Sequence, residues 1–190
     1  MPPKSKFTKE EIVGAALAEV ERNGFDNLTV RTLAAALGSS PRPIFTVFSG
    51  MDEVCAAVID SANKLYNDYV EEGLKNEVPF RGVGEAYLRF AHEHPKLFML
   101  LFMREQKELL DERGVLDAID QNAEKILQAV MSYYGIDREK AERLYMHLWI
   151  YTHGIATAVA TKVCTFFDEK AMLTEEFVAM IKHVKQAEGK

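Results

Sequence analysis

The sequence predicts an all-α chain, with three short N-terminal helices followed by a longer helical bundle. Three observations predict it. Apolar residues recur with helical periodicity along the whole chain and nowhere alternate as in a strand. The first fifty residues carry closely spaced helix start and stop signals. The remainder consists of longer apolar stripes broken by Pro and Gly. With 190 residues, 48% hydrophobic and 27% charged, there is room for one large domain or two small ones sharing an interface. The breaks divide the chain into a three-helix unit over 1–50, a connecting helix over 51–75 and a larger helical unit over 76–190.

Each element has its own signal. Thr8 and Glu11 form a capping box, bracketed by Phe7 and Ile12 as a hydrophobic staple. Ile12, Ala16 and Val20 then repeat on one face until Gly24 ends the helix. Thr29 caps a second helix over Val30–Leu37, whose inner stripe is Val30, Leu33, Ala34 and Leu37. Gly38 stops it. Ser40 is read as the cap of a third helix with Pro41 in its first turn, closing at Phe48-Ser49-Gly50. Beyond the connecting helix, helices are expected over 80–94, 95–103, 115–134, 138–163 and 174–187. Pro95 separates the first two, Asp137 and Thr174 act as N-caps, and 104–114 reads as a charged connection.

The net charge of −6 is unevenly spread. Residues 1–50 carry six Lys/Arg against five Asp/Glu, and residues 51–190 carry 17 against 24. The N-terminal part is therefore the better place for a polyanion. Cys55 and Cys164 lie in apolar helical stretches and read as small core residues, not a disulfide. Glu10 and Glu11 interrupt any secretory apolar segment, and Leu97–Met103 is too short to span a bilayer. A cytoplasmic protein with no membrane partner is expected.

A short helix, a turn containing Gly38 and a second short helix form the outline of a helix-turn-helix. Phe25-x-x-x-Thr29, Leu33-Ala-x-x-Leu-Gly38, the Ser40 cap and Ile44-Phe-x-x-Phe48 fill that outline. Over about residues 7–58 this pattern resembles the DNA-binding domain of the TetR family of transcriptional regulators. Family members usually carry Tyr where this chain has Phe45 and Lys where it has Met51, both facing phosphate. The resemblance thus implies two lost backbone anchors. Lys4, Lys6 and Lys9 are candidates to replace them, although the arm Pro2–Lys6 also reads as a solvated tail.

A recognition helix reads base edges with residues near its N-terminus. With Ile44 and Phe48 turned to the core, the candidate DNA-facing residues are Ser40, Pro41, Arg42, Pro43, Phe45, Thr46 and Val47. Arg42 suits guanine or phosphate, and the two prolines and Val47 suit thymine methyls. Thr29 and Arg31, at the second helix N-terminus, are placed for a phosphate; Thr29 also reads simply as a cap.

In the body, the helix over 138–163 carries two apolar stripes. Leu144, Leu148, Thr152, Ile155 and Val159 make one, and Met146, Ile150 and Thr157 the other. A helix with two such stripes is covered on more than one side. Core on both sides would do this, as would a second subunit, with Phe177, Ile181 and Val184 giving the last helix an apolar face. Ala86-Tyr-Leu-Arg-Phe-Ala-His-Glu-His-Pro95 with Leu97-Phe98, and Trp149-Ile-Tyr-Thr-His-Gly154, resemble a type of TetR-family ligand domain over about 75–190. That resemblance and the double stripe together favour a homodimer. The candidate ligand pocket is Tyr87, Phe90, His94, Phe98, Phe102, Met131, Trp149 and His153, an adaptable apolar set with oriented histidines. The same aromatics at helical spacing also read as ordinary core.

Enzyme chemistry finds no support in the residues. None of the five His has Glu three positions before it, as di-iron bundles need. Gly82-Val-Gly84 lacks the third glycine and the strand of a dinucleotide motif. No nucleophile elbow is present. No cofactor and no metal site are expected. The sequence reads as a ligand-responsive DNA-binding regulator, a repressor released from a pseudo-palindromic double-stranded operator by a small apolar or aromatic effector. The other reading is a helical small-molecule sensor or carrier without specific DNA binding.

Overall fold

The computed structural model describes residues 6–104, 120–163, 178–179 and 181–182. Among the described residues there are seven α-helices and no strand. They are α1 Lys9–Asn23, α2 Val30–Ala36, α3 Met51–Gly73, α4 Pro79–Glu93, α5 Pro95–Phe102, α6 Ala123–Tyr134 and α7 Arg138–Ala160. They group into two units, one holding residues 6–65 and 94–104 and the other residues 66–93 and 120–163. The boundary falls inside α3, between Leu65 and Tyr66.

In the first unit, α1 begins with the reciprocal cap that its sequence encodes. The Glu11 amide donates to Thr8 Oγ1 at 3.1 Å and the Thr8 amide donates to Glu11 Oε2 at 2.8 Å. Such a box is worth about 1 kcal/mol. Ile12, Ala16 and Val20, spaced by four, are fully buried. Around them lie Leu33 of α2, Ile44, Phe48, and Leu97 and Phe98 of α5, all within 2% of complete burial. Each large apolar side chain so buried stabilises the fold by about 1.5–3 kcal/mol. Pro95 at the first position of α5 forces His94 out of the helical region, ending α4 and starting α5 at once. α5 packs against α1, and His94 Nδ1 meets Glu21 Oε1 at 2.5 Å.

The turn after α2 is a Schellman motif. Ser39 N donates to Ala34 O at 2.9 Å and Gly38 N to Ala35 O at 3.0 Å. This closure needs a left-handed residue, and Gly38 supplies φ +59°. The segment that follows differs from the sequence expectation. Instead of a third α-helix from Ser40 to Phe48, the chain forms linked turns and one 3-10 turn, Ile44–Thr46. The cause is the Pro-Arg-Pro run. Each proline disfavours helical backbone in the residue before it, here Ser40 and Arg42, where the first helical turn would have to form. Three-residue steps close the turns, Ile44 N to Pro41 O at 3.1 Å and Val47 N to Ile44 O at 3.1 Å.

In the second unit α4 is the central helix. Nine of its fifteen residues are buried, Phe80, Val83, Tyr87 and Phe90 among them, and it packs against both α6 and α7. α6 turns Ala123, Ile126, Leu127 and Val130 inward. α7 starts on Asp137, whose carboxylate accepts the Lys140 amide at 3.0 Å, and buries Leu144, Tyr145, Leu148, Thr152 and Ile155. The end of α3 meets α4 through a pair of glycines, Gly73 and Gly82.

Other boundaries shift by a few residues. α7 stops at Ala160, not 163, and α6 begins at Ala123. In the second stripe of α7 Met146 and Thr157 are half-buried and Ile150 is 59% exposed, so among the described residues that stripe is only partly covered. Cys55 is half-buried rather than core, with a free thiol whose pKa burial pushes up. Cys164, Phe177 and Val184 lie outside the described residues, as do residues 105–119 and most of the helix expected over 174–187.

Candidate nucleic-acid interface and ligand cavity

On the first unit, Thr29, Arg31, Ser40, Pro41, Arg42, Phe45 and Thr46 are exposed, and Pro43 and Val47 are half-exposed. Ile44 and Phe48 lie beneath them, buried. The 3-10 turn therefore presents its other side chains outward on a fixed apolar base. Phe45 is 44% exposed, a large ring left in water. Arg31 and Arg42 form no ion pair among the described residues.

Two of the threonines have hydroxyls already engaged. Thr46 Oγ1 donates to Pro43 O at 2.7 Å, which braces the turn. Thr29 caps α2 in a Thr–Thr box: its Oγ1 accepts the Thr32 amide at 3.2 Å, and Thr32 Oγ1 accepts the Thr29 amide at 2.9 Å. At the start of α3, the Ser49 amide and hydroxyl both donate to Glu53, holding its carboxyl below the usual range. Lys9 reaches the same carboxylate at 3.6 Å, and Lys6 Nζ donates to Ser39 Oγ at 3.4 Å. These two lysines therefore stand beside the exposed segment.

The second unit holds a half-open cavity with about 30 Å³ accessible to a water-sized occupant. Its walls are Tyr66, Phe80, Val83, Gly84, Tyr87, Asp120, Tyr145, Leu148, Trp149 and Thr152. Tyr66 and Tyr87 meet edge to face at 6.0 Å, and Phe80 and Tyr145 at 5.7 Å. Asp120 is 5% exposed. Its Oδ2 accepts the Tyr66 hydroxyl at 2.7 Å and the Tyr145 hydroxyl at 3.4 Å. Its Oδ1 accepts the Asn122 amide at 2.8 Å and side-chain nitrogen at 3.0 Å. Burial raises the Asp120 pKa, these four donors only partly offsetting it. Burial likewise pushes Tyr66, Tyr87 and Tyr145 far above the ordinary phenol value. All three are neutral donors at any physiological pH.

Of the pocket residues expected from sequence, Tyr87 and Trp149 line this cavity, and His153 stands next to them. The Tyr87 hydroxyl bonds His153 Nδ1 at 2.9 Å, and the His153 ring stacks on Trp149 at 4.7 Å. Burial lowers the His153 pKa, so its imidazole is neutral near pH 7. The Trp149 indole N–H is buried without a well-formed hydrogen bond among the described residues. It leans close enough to the Tyr87 oxygen to hold that phenol's pKa down slightly against burial. Phe90 is buried beside Tyr66 and Tyr69, each at 5.3 Å, and Met131 is half-buried on α6. His94, Phe98 and Phe102 belong to the first unit, where α5 groups with α1.

Tyr66, Asp120 and Tyr145 were not singled out by sequence. Asp120 falls inside the stretch read as helical. It in fact precedes α6, and its acceptance of the Asn122 amide is an Asx turn, the one local signal that could have marked it. Among the described residues no cluster of three or more His, Cys, Asp or Glu could hold a metal ion, and no helix is long and apolar enough to cross a membrane.

Comparison with known proteins gives this arrangement its context. The chain is 28% identical over 175 residues to an uncharacterized HTH-type transcriptional regulator of Mycobacterium tuberculosis, covering 90% of this chain and 78% of that one. The crystal structure of a TetR-like transcriptional regulator from Rhodococcus sp. RHA1 has the same fold, with a TM-score of 0.64 and 16% identity, covering 97% of this chain and all of that one. The family model described as "Tetracyclin repressor-like, C-terminal domain" matches residues 80–181, more than half of the chain and the whole of the cavity-bearing bundle from Phe80 onward. An N-terminal helix-turn-helix followed by a bundle of that family makes this chain a member of the TetR family of transcriptional regulators.

Proposed function

We propose that this TetR-type regulator is a homodimeric repressor that leaves its operator when a small molecule enters the cavity of the helical bundle. Residues 1–50 bind DNA, 51–75 connect, and 76–190 bind effector and partner. The observation that carries the reading is the segment from Pro41 to Val47. It displays Arg42, Phe45 and Thr46 to solvent above the buried Ile44 and Phe48. A merely solvated turn has no need of an exposed phenyl ring flanked by two prolines and Val47; a major-groove surface uses such groups against thymine methyls.

In this reading Arg42 contacts guanine or phosphate, and Thr29, Arg31 and Ser40 lie along the backbone. Two copies place their recognition segments about 34–36 Å apart on a pseudo-palindrome. The partly covered second stripe of α7, with Ile150 exposed, supports pairing of two chains. Effector and operator then oppose one another through a coupling of about 1–3 kcal/mol.

The test is fluorescence anisotropy with duplexes tiling the DNA upstream of the chain's own gene. One duplex should bind about a thousandfold more tightly than unrelated sequence. Equal, salt-dominated binding to every duplex would leave the bundle as a sensor or carrier without specific DNA recognition.

A further inference from the structure

We propose that the cavity of the helical bundle is built for the head group of an organic cation, a methylated ammonium, held by aromatic rings around Asp120. The inference rests on the ligand-responsive reading above and adds the chemical class of its ligand.

Among the described residues Asp120 is the only charged side chain on the cavity wall, and it is 5% exposed. No Lys, Arg or His pairs with it among the described residues. The neighbouring His153 is held neutral by its own burial. A buried carboxylate without a counter-charge is unfavourable even when hydrogen-bonded. A cation in the cavity would offset that cost, whereas a carboxylate or phosphate ligand would add to it. The wall thus selects by sign of charge.

The kind of cation follows from the hydrogen bonds. A carboxylate offers about four acceptor sites. Here the Tyr66 and Tyr145 hydroxyls take Oδ2, and the Asn122 amide and side chain take Oδ1. No site is left for a ligand N–H, which disfavours a primary amine or guanidinium. A quaternary ammonium has no N–H to satisfy. It needs a field and polarizable rings, and Tyr66, Phe80, Tyr87, Tyr145 and Trp149 supply five. Two of these phenols donate to Asp120, which enriches their rings in electron density and strengthens their attraction for a cation. The volume agrees: about 30 Å³ is roughly two to three times what one water requires. It admits a compact head, with the rest of the ligand passing out of the mouth.

The experiment titrates the intact protein with choline, its uncharged carbon isostere 3,3-dimethylbutan-1-ol and the anionic isostere 3,3-dimethylbutanoate, following the fluorescence of Trp149, the only tryptophan. Choline should bind about tenfold or more tighter than the neutral isostere, and the anion weakest. Asp120→Asn keeps the shape and removes the charge, and should bring choline and the alcohol to equal affinity. If Asp120→Asn does not fold, the ranking of the three ligands on the parent protein decides alone. Equal binding of choline and the alcohol, preference for the anion, or no binding of choline at millimolar concentration overturns the cation site. Choline that binds but leaves operator affinity unchanged supports the cation site and removes the effector reading; an alcohol that binds better and releases DNA does the reverse.

Discussion

Gly73 and Gly82 meet backbone against backbone, α3 ending where α4 begins. A Cβ on Gly82 would stand 2.1 Å from the Gly73 carbonyl oxygen, and a Cβ on Gly73 would stand 2.6 Å from the Gly82 oxygen. Neither neighbour is a flexible side chain tip that could swing away. The two helices can approach this closely only because both positions lack a side chain.

Gly82→Ala should therefore force the helices apart and destabilise the protein by about 1–3 kcal/mol, the usual cost of overpacking. Gly14→Ala is the control. Gly14 is exposed in the middle of α1 with nothing within 4 Å of a new Cβ, so alanine there should stabilise by about 0.5–1 kcal/mol. Urea unfolding of the two variants should move in opposite directions. A neutral Gly82→Ala would show that the contact relaxes freely.

Arg42→Ala should weaken operator binding without loss of folding, because Arg42 is exposed and supports nothing in the core. If Arg42 reads a base, discrimination at one operator position falls by about 1–3 kcal/mol; if it touches phosphate, all sequences weaken alike. Anisotropy against a panel of single-base operator variants separates the two, and unchanged affinity removes Arg42 from the interface.

Phe45→Tyr and Met51→Lys should each tighten binding, since both positions face phosphate in the resembled family. Phe45 already stands 44% exposed, and Met51 opens α3, half-buried. The added lysine should steepen the dependence of log affinity on log salt by about 0.9. A double variant with the parent's affinity and slope would mean that this chain docks in another orientation.

The His153 ring gives a pH signature. Its pKa is lowered from 6.5 by burial, so the unfolded chain binds the proton more readily than the folded one. Stability from this group is complete above pH 6.5 and is lost as the pH falls from there through the depressed folded value. Protonation would also leave Nδ1 able only to donate to the Tyr87 oxygen. Asp120, with its raised pKa, acts in the opposite direction at lower pH. The difference between the parent and His153→Gln therefore isolates the histidine: melting temperatures measured from pH 7.5 to 5 should fall more steeply in the parent. Parallel curves would show that His153 does not titrate in this window.

Ile150→Glu should dissociate the proposed dimer while leaving each chain folded, since Ile150 is 59% exposed on α7 and absent from the core. Sedimentation of the parent as a monomer would end the dimer reading.

The sequence revealed what is local. The Thr8 box, the Thr29 cap, the Gly38 stop and the Pro95 break each act within about one turn, and each is where the residues place it. The third helix differs because Pro41 alone suits a first helical turn, whereas Pro43 two residues later also disfavours helical backbone at Arg42, and the chain closes in three-residue steps instead. The cavity was half legible. Tyr87 and Trp149 announce themselves by size, but the Tyr66–Asp120 bond joins residues 54 apart, and nothing local in α3 distinguishes Tyr66 from any other inward aromatic. α5 was misplaced for the same reason: its apolar residues reveal that it is buried, not that α1 is what buries it.

The two prolines before the 3-10 turn have a thermodynamic consequence for recognition. Pro41 and Pro43 fix two backbone torsions, and the Thr46 hydroxyl ties the turn to the Pro43 carbonyl. If this segment is the DNA-reading surface proposed above, it is ordered before it meets its target, and association with DNA carries little of the entropy loss that accompanies folding upon binding. The heat-capacity change of complex formation should accordingly track the surface that is buried, with no added contribution from a segment condensing on the groove.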